Sequence, residues 1–376
     1  MLDLQEIRKE IDRVDSDLLE LFEKRMELCA QVAEFKIENG KPVFDRVREQ
    51  EKLERLKRQA STPFMEMGAQ ELFSQIMAIS RKLQYTILTE KGQEEPSEYE
   101  MVESLPMDRA KVVFQGVEGA YSFAAMKSFF GPQVQSFHVR TWKDAMEAIA
   151  WGDADYAVLP IENSTAGIVA DIYDLLVKYH HYIVGEQIVR AEHVLMGVPG
   201  AQLEDIKTVY SHPQGLWQCR KFLEQHPDWN QVDFDNTATA ARKVAQDGDK
   251  TQAAIASRYA AEHYGLQILK EGITSSSSNA TRFIIVSKKK LFLKGAGKVS
   301  ICFELPHERG SLYNILSHVI YNNLNMTKIE SRPIPEKNWE YRFFVDFEGN
   351  LSDSGVKNAL RGIQQEARRL RIFGNY

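Results

Sequence analysis

The chain has 376 residues, which is long for a single hydrophobic core and predicts two or three domains. Its 43% hydrophobic and 27% charged residues are typical of a globular protein in water. The net charge of −6 argues against a general attraction to nucleic acid or to membranes. No apolar run is long enough to span a membrane, and the charged first residues do not resemble a signal peptide. Because the three cysteines lack metal-ligand spacing, we expect a cytoplasmic protein with free thiols and no cofactor.

Residues 4–37 carry one continuous helical pattern. Apolar side chains recur at alternating steps of three and four residues from Leu4 to Phe35. Such a helix is about 50 Å long, which is more than the segments after it can cover. Two further helices are predicted at about 43–60 and 64–88, which completes an all-helical unit. We therefore expect the long helix to pair with that of a second chain in an intertwined dimer.

The pattern changes twice after this helical unit, which we assign to residues 1–90. Residues 91–108 are acidic, contain proline and lack any period, so they are interpreted as a linker. Short apolar strands then alternate with helices over residues 109–290, which predicts an α/β domain with a largely buried sheet. Residues 296–376 follow the order strand, helix, strand, strand, helix, strand. This order favours a ferredoxin-like α+β domain.

Charged and polar side chains interrupt the inner faces of the predicted helices. Arg25 occupies a position where the pattern calls for an apolar residue, and Lys36 lies about 20° away around the helix axis. Arg8 lies about 100° from Arg25 and would face a different neighbour. The later helices add polar residues at helical spacing: Asp45, Arg48, Glu49, Ser80 and Gln84. Each residue alone fits a helical bundle with surface ion pairs, but together they indicate a pocket for a small dianion.

The segments IRKEID, KRMELCAQVAEFK and PVFDRVREQEKLERL resemble the helical chorismate mutase family, which forms an intertwined dimer. The resemblance implies that three arginines hold the two carboxylates of chorismate: Arg25, Arg48 and Arg8 of the partner subunit. It implies hydrogen bonds from Lys36 and Gln84 to the ether oxygen. It also implies further substrate contacts, including the ring hydroxyl, from Asp45, Glu49 and Ser80.

The Claisen rearrangement of chorismate is unimolecular and needs no nucleophile or base. The protein can hold the reactive conformer and stabilise the negative charge that builds on the breaking C–O oxygen. A fixed cation at that oxygen is the largest effect we expect. Lys36 is therefore the main catalytic candidate of the helical unit.

Three polar clusters adjoin apolar strands in the α/β segment. Glu162–Thr165 and Ser211–Gln214 each follow a strand, and Thr281 with Arg282 begins another. Ligands in open α/β sheets collect where the ends of strands meet. The three clusters are therefore candidates for a ligand site. The Ser211-His212 pair does not indicate a hydrolase, because adjacent residues point apart and the chain lacks a G-x-S-x-G elbow.

The segments LPIENSTAGIV, VYSHPQGLWQC and NATRFIIV occur in the same order as in the prephenate dehydratase domain and resemble it. The resemblance implies two α/β lobes, 111–190 with 272–287 and 191–271, and an active site in the cleft. Prephenate loses its ring carboxylate and its C4 hydroxyl to become phenylpyruvate, so a proton donor is wanted at the leaving oxygen. The resemblance assigns this role to Thr281, and protonated Glu162 is the alternative. The expected substrate-binding residues are Asn163, Ser164, Ser211, Gln214, Arg282 and Phe283.

The segments ICFELPHERGSLYNIL and KIESRPIP resemble an ACT regulatory domain that binds phenylalanine. Glu330-Ser331-Arg332-Pro333 matches one family motif. The second motif appears as Gly310-Ser311-Leu312-Tyr313 in place of Gly-Ala-Leu-Val, which alters the expected pocket size. The resemblance implies that these two segments bind L-phenylalanine as an effector. The alternative is an oligomerisation module without a ligand.

The resemblance covers nearly the whole chain and implies the family of bifunctional chorismate mutase and prephenate dehydratase enzymes with phenylalanine feedback. Two alternatives remain open. Arogenate dehydratase acts on a substrate that carries an amino group in place of the keto group. A non-catalytic amino-acid sensor would share a bilobed core. We expect a homo-oligomer, at least a dimer, whose ligands are chorismate, prephenate and L-phenylalanine, with no nucleic-acid or membrane partner.

Overall fold

The computed structural model describes residues 3–92, 98–275, 279–305, 308, 310–335, 337 and 339–376. Part of the predicted linker, 93–97, and part of the serine-rich segment, 276–278, therefore lie outside the described residues. The chain forms two compact units: Met1–Glu98 with Ala296–Ile372, and Tyr99–Gly295 with Phe373–Tyr376. Within the described ranges, no helix has both the length and the apolar character that crossing a bilayer requires.

The first unit begins with the three predicted helices: α1 (Leu4–Glu38), α2 (Arg46–Gln59) and α3 (Pro63–Glu90). The Asp3 side chain caps α1 by accepting a hydrogen bond from the backbone N–H of Gln5 at 2.9 Å. The Thr62 side chain caps α3 in the same way at Met65. Both α1 and α2 pack against α3. The three helices that the sequence predicts are present, and they share one compact unit with the carboxyl-terminal segment.

One face of α1 is apolar and exposed in the single chain. Its side chains are between 39% and 64% exposed: Leu4, Ile7, Ile11, Val14, Leu18, Leu21, Leu28, Val32 and Phe35. These are the residues that the three- and four-residue pattern placed on one face. Apolar surface this extensive on one helix marks an interaction surface.

The described part of the second unit contains one sheet in each of two lobes and a separate two-stranded sheet. The elements of the first part of this unit are β1 (Glu100–Val102), β2 (Lys111–Gln115), α4 (Tyr121–Phe130), β3 (Gln135–Val139), α5 (Trp142–Trp151), β4 (Tyr156–Asn163), β5 (Gly167–Ile168), α6 (Ala170–Tyr179) and β6 (Tyr182–Arg190). The second lobe contains β7 (His193–Gly197), a 3₁₀ turn (Leu203–Asp205), β8 (Thr208–Ser211), α7 (Pro213–Gln218), α8 (Arg220–Leu223), β9 (Asn230–Asp233), α9 (Thr237–Asp247), β10 (Gln252–Ser257), α10 (Arg258–Tyr264) and β11 (Gln267–Lys270). The chain then returns through β12 (Ala280–Ser287) and β13 (Leu291–Leu293).

Strand pairing separates two lobes within this unit. In the first lobe the strands lie in the order β6-β12-β4-β2-β3, with β5 on β4. In the second lobe the order is β11-β7-β10-β8-β9. The return of β12 to the first sheet matches the lobes expected from the sequence. Part of the predicted linker is a strand, because β1 pairs with β13 in parallel.

The carboxyl-terminal segment follows, and its residues up to Ile372 complete the first unit. Its elements are β14 (Lys298–Glu304), α11 (Ser311–Tyr321), β15 (Met326–Pro333), β16 (Tyr341–Glu348), α12 (Ser354–Glu366) and β17 (Arg369–Asn375). β16 pairs antiparallel with both β14 and β15. Helices α11 and α12 pack on each other and on α3. The order of elements is the ferredoxin-like order that the sequence predicts.

Candidate active sites

Arg25 is partly buried between α1 and α3. Its guanidinium donates hydrogen bonds to Ser80 Oγ and, at 3.4 Å, to the carbonyl oxygen of Ile76. The Ser80 side chain is buried, and its hydroxyl donates to the same carbonyl at 2.7 Å. These partners are neutral oxygens, which satisfy the N–H groups but do not neutralise the charge. A partly buried cation in this setting favours the binding of an anion.

Lys36 is also partly buried, and its Nζ donates to the carbonyl oxygen of Val43 at 2.5 Å. Burial is the main cause that lowers the pKa of Lys36 below 10.5, although Asp45 and Glu49 act in the opposite direction. The Asp45 side chain caps α2 by accepting a hydrogen bond from the N–H of Arg48 at 3.1 Å. The structure thus brings Lys36 near the predicted polar residues at the start of α2.

Gln84 faces inward, as the sequence predicts, and is 6% exposed. Its Nε2 donates to the carbonyl oxygen of Ser80 at 3.2 Å. Its Oε1 is buried and has no hydrogen-bond partner in the part of the chain that the structure describes. A buried amide oxygen without a partner is rare and makes this position a candidate for contact with a polar ligand.

Lys52 is a neighbouring cation that the sequence analysis missed. It is partly buried, and burial, followed by the charges of Arg25 and Arg48, lowers its pKa below 10.5. Its spacing of four residues from Arg48 on α2 is the signal that places both on one helix face. The signal was weak, because α2 is charged at most positions. Lys52 adds positive charge beside Arg25.

Arg8 is exposed, and along α1 it lies roughly 25 Å from Arg25. Within one chain it does not reach the cluster of Arg25 and Lys36. Its predicted contribution from the partner subunit stays a prediction. Arg48 and Asp45 are exposed at the start of α2, and Glu49 is partly buried, with its carboxylate paired to Arg81.

A cavity of about 260 Å³ lies between the two lobes of the second unit. Residues of both lobes line it: Tyr121, Asn163, Ala191, His193, His212, Gln214, Gly215, Gln218, Asp235, Asn236, Thr237, Asn279 and Thr281. Three of these, Asn163, Gln214 and Thr281, are among the predicted site residues. The crevice that the family resemblance implies is therefore present, with Thr281 in its wall.

Asn163 orients the hydroxyl of Thr281. The two residues lie opposite each other on β4 and β12, and Asn163 Nδ2 donates to Thr281 Oγ1 at 2.9 Å. The oxygen of the Asn163 amide accepts hydrogen bonds from the N–H groups of Thr165 and Ala166 at 3.0 and 2.9 Å. The amide orientation is thereby fixed. Because Thr281 Oγ1 accepts the hydrogen bond from Asn163, its own proton is available for another acceptor.

Glu162 and Arg282 occupy the next cross-strand position and form a pair with each other. Arg282 Nη2 lies 2.7 Å from Glu162 Oε2, and Arg282 Nη1 lies 3.6 Å from Glu186 Oε2. Side chains alternate between the two faces of a sheet, so this pair is directed away from Asn163 and Thr281. The arginine also stabilises the ionised carboxylate. Among the described residues, neither member lines the cavity, which argues against Glu162 as the proton donor.

Three other predicted binding residues have structural contacts instead. The Ser211 hydroxyl is buried and donates to the carbonyl oxygen of Ile255 at 2.7 Å. Phe283 is 3% exposed and belongs to the hydrophobic core of the first lobe. Ser164 Oγ accepts a hydrogen bond from the N–H of Ala280 at 3.0 Å. In the described part of the chain, these three residues do not line the cavity.

Tyr121, His193 and Gln218 form a buried chain of hydrogen bonds that the sequence analysis missed. His193 Nε2 lies 2.8 Å from Gln218 Oε1, and its Nδ1 lies 3.0 Å from the Tyr121 hydroxyl. Since an amide oxygen only accepts, Nε2 carries the proton and Nδ1 is an acceptor within reach of the Tyr121 hydroxyl, which also donates to the carbonyl oxygen of Glu192 at 3.2 Å. Burial lowers the pKa of His193, more than the bond to Gln218 raises it, so the imidazole is neutral near pH 7. Gln218 lies four residues after Gln214 on α7, and this helical spacing is the sequence feature that places both side chains on one face of the helix.

The cavity has little positive charge of its own. None of the described residues that line it is a lysine or an arginine. Thr237 at the start of α9 lines the cavity, and the Asn236 side chain caps that helix through the N–H of Thr239 at 2.8 Å. The positive end of a helix dipole and its free N–H groups favour an anion here. The carboxylate of Asp235 has the opposite effect.

The two motifs of the carboxyl-terminal segment lie on different elements. Gly310, with φ +77°, is the N-cap of α11, and Ser311 and Leu312 begin that helix. Residues 330–333 end the strand β15, which pairs with β16. Tyr313 is 53% exposed, and its hydroxyl lies 3.5 Å from Gln75 Oε1 of α3. The tyrosine that departs from the family motif therefore extends towards the helical part of the unit.

Two protein-family models match separate segments of the chain. The family model for chorismate mutase type II matches residues 7–85, and the model for prephenate dehydratase matches residues 112–291. The bifunctional chorismate mutase/prephenate dehydratase of Escherichia coli (strain K12) is 31% identical over 376 residues, which cover 98% of this chain and 95% of that protein. Arogenate dehydratase 3 of Arabidopsis thaliana is 37% identical over 283 residues, which cover 71% of this chain and 66% of that protein.

Solved structures also resemble a large part of the chain. Prephenate dehydratase from Arthrobacter aurescens in complex with L-Phe has a TM-score of 0.65 and 31% sequence identity. The match covers 71% of this chain and 89% of that chain.

Proposed function

The chain belongs to the family of bifunctional chorismate mutase/prephenate dehydratases, and we propose that its two reactions use two separate sites. The protein is a chorismate mutase through its helical segment and a prephenate dehydratase through its α/β segment. In our proposal, the cluster of Arg25 and Lys36 binds chorismate, and the cavity with Thr281 binds prephenate. The observation that carries the proposal is a cluster of partly buried cations bonded to neutral oxygens.

In the mutase reaction, the cations would neutralise the two carboxylates of chorismate and hold its reactive conformer. Arg25 and Arg48, with Arg8 of the partner subunit, would bind the carboxylates. Lys36 would place its charge beside the ether oxygen, where negative charge develops as the C–O bond breaks. One N–H of the Gln84 NH₂ group bonds to Ser80, and the second N–H would donate to the same ether oxygen.

Replacing Lys36 with alanine should lower the mutase kcat/KM by about 10²-fold or more, because the developing charge loses its cation. Dehydratase activity on supplied prephenate should be unchanged. Lys24→Ala, an exposed lysine of the same helix, is the matched control and should retain both activities. Measurement of chorismate consumption decides the question, and full mutase activity in Lys36→Ala would refute the assignment.

The pH profile of the mutase gives an independent readout in the same experiment. Protonated Lys36 is the active form, so activity is present below its pKa and is lost as pH rises through that pKa. Because burial lowers this pKa, the alkaline limb of kcat/KM should lie below 10.5. The limb should move to higher pH in Lys36→Arg, and an unmoved limb would mean that a different group titrates.

The exposed apolar face of α1 supports a dimer in which each mutase site uses both chains. Arg8→Ala and Arg25→Ala should each be inactive as a mutase. A purified heterodimer of the two variants has one site with both arginines and one site with neither. It should therefore regain about half of the wild-type mutase activity.

Heterodimers can be isolated with two different affinity tags on coexpressed chains. The control is a two-tag dimer in which both chains carry Arg8→Ala, which has no intact site. Failure of the mixed dimer to exceed this control would show that Arg8 does not act across the dimer.

In the dehydratase reaction, Thr281 would donate a hydrogen bond to the departing C4 hydroxyl. Asn163 donates to Thr281 Oγ1 and thereby directs the threonine proton elsewhere, which suits a donor to the substrate. A neutral hydroxyl is a weak acid, so Thr281 would act as an oriented donor or relay while loss of carbon dioxide supplies electrons. Gln214, Gln218 and the start of α9 would bind the substrate oxygens.

Thr281→Ala should lower dehydratase kcat/KM by about 10²-fold or more and leave the mutase unchanged. Thr281→Ser keeps the hydroxyl and should retain most of the activity. The measurement is phenylpyruvate formation from supplied prephenate. Equal turnover by the alanine variant and the wild type would rule out this role for Thr281.

Arogenate is a second candidate substrate for the same cavity. The 37% identity to an arogenate dehydratase and the Asp235 carboxylate in the lining both favour a substrate that carries an amino group. The mutase segment of the same chain favours prephenate, because it produces that compound. The ratio of kcat/KM for the two supplied substrates separates these candidates.

The carboxyl-terminal segment is proposed to bind L-phenylalanine and to inhibit the enzyme. Support comes from its two sequence motifs and from the related dehydratase structure that contains L-Phe. Feedback requires that phenylalanine bind one global state of the protein more tightly than another.

Gly310→Ala should weaken inhibition by phenylalanine, because an alanine at φ +77° strains the start of α11. Gly248→Ala introduces a similar strain at φ +67° in the second unit and should leave inhibition unchanged. The measurement is the phenylalanine concentration for half-inhibition. An unchanged value in Gly310→Ala would place the effector elsewhere.

A further inference from the structure

The helix α3 carries a buried polar surface that the proposed function does not use. Four of its residues are 9% exposed or less: Arg81, Lys82, Tyr85 and Thr89. Each contacts α11 or α12 of the carboxyl-terminal segment. The Tyr85 hydroxyl donates to Gln365 Oε1 at 2.6 Å, and the Thr89 hydroxyl donates to Asn358 Oδ1 at 2.6 Å. The mutase helix is therefore joined to this segment by specific hydrogen bonds.

Arg81 connects this surface to the proposed mutase site. Its guanidinium bonds to Glu49 Oε2 on α2, and its Nε donates to Glu366 Oε1 on α12 at 3.0 Å. The guanidinium also lies over the ring of Phe44, 4.8 Å from its centroid. A planar cation that is 6% exposed and held by two carboxylates and a ring has little freedom to move.

Glu366 is fixed from its other side. His318 Nε2 lies 3.0 Å from the Glu366 oxygen that Arg81 also contacts, and His318 is 1% exposed. The ring of His318 packs against Gly362, where an added Cβ would lie 2.3 Å from Nδ1. Burial alone would raise the pKa of Glu366, but the hydrogen bond from His318 and the charge of Arg81 lower it below its ordinary value. The Glu366 carboxylate is thus ionised near neutral pH and fixes the position of Arg81.

We propose that Arg81 is a positioning residue for the mutase reaction: Glu366 holds Arg81, and Arg81 holds the Glu49 carboxylate in the geometry that the substrate needs. The inference rests on the proposed role of Glu49 in binding the ring hydroxyl of chorismate. Glu49 is only partly buried and lies on a helix with many alternative charged partners, so its carboxylate would otherwise adopt several positions. The carboxyl-terminal segment thereby supports the mutase site through one side chain.

Arg81→Met should lower the mutase kcat/KM on the order of tenfold, the size expected for one charge-assisted hydrogen bond. Glu366→Gln should lower it by a smaller factor, because Arg81 keeps its bond to Glu49 but loses its anchor. Dehydratase kcat/KM on supplied prephenate reports on the second unit and should be unchanged in both variants. Glu304→Gln removes a similar buried carboxylate, which pairs with Arg342 at 2.7 Å, and should leave the mutase at the wild-type level.

The decisive measurement is a double-mutant cycle with Glu49→Gln. If Arg81 acts through Glu49, then Arg81→Met should have no further effect on kcat/KM once Glu49 is changed. Glu366→Gln should likewise have no effect in the Arg81→Met background. A purely structural role would give independent losses that multiply, and this result would overturn the inference.

The outcomes separate the inference from the function on which it rests. Full mutase activity in Glu49→Gln would show that Glu49 is not part of the site. It would overturn both the role of Glu49 in binding chorismate and the positioning role of Arg81. A loss in Glu49→Gln together with full activity in Arg81→Met would overturn the inference alone. If Arg81→Met fails to fold, Arg81→Lys takes its place in the experiment. A lysine keeps the positive charge but reaches only one of the two carboxylates. It should give a partial loss that also vanishes in the Glu49→Gln background, and independent losses there would overturn the inference.

Discussion

The partial burial of positive charge is the constraint on which the amino-terminal helical segment depends. Arg25 and Lys36 sit on the face of α1 that turns towards α2 and α3, and their hydrogen-bond partners are carbonyl and hydroxyl oxygens. Such partners satisfy the N–H groups and leave the net charge in place. In the proposed mutase site, an anionic substrate would stabilise this arrangement, and the same charge would stabilise the oxygen on which electrons accumulate during the rearrangement. Binding and catalysis thus follow from one feature.

The proposed dehydratase site contains different groups. Its cavity has no lysine or arginine among its described lining residues, and it relies on hydroxyls, amides and the start of α9. Asn163 is central because two backbone N–H groups fix its oxygen and its NH₂ group then orients Thr281. The preorganised hydrogen bonds, rather than a strong acid, are what the geometry offers for departure of the hydroxyl.

The sequence predicted the elements better than the role of each side chain. The period of α1 and the inward position of Gln84 follow from spacing, whereas the return of β12 to the first sheet follows from the family resemblance. The structure agrees with all three. Ser211 and Phe283 were assigned to the site because they stand in the right motifs, yet a hydrogen bond to Ile255 and core packing occupy them. The presence of a residue in a family motif indicates that the residue is important, but its role depends on its contacts in the folded protein. His193 and Gln218 were missed because single polar residues in apolar surroundings carry little signal in a sequence.

Long-range contacts were beyond the sequence analysis for a related reason. Arg81 stands 285 positions from Glu366, and nothing in the local pattern of either helix indicates the ion pair. Linker boundaries were also uncertain, since Glu100–Val102 forms a strand only because Leu291–Leu293 is present to pair with it. Pairings of this kind depend on the assembled fold and not on propensity.

The most direct test of the account is a time course of products from chorismate with the full chain. The account predicts that chorismate disappears, that prephenate rises and then falls, and that phenylpyruvate is the final product. Accumulation of prephenate without phenylpyruvate would contradict the assignment of the cleft as its dehydratase site. Unchanged chorismate would contradict the central claim that the buried cations of the helical unit form a mutase site.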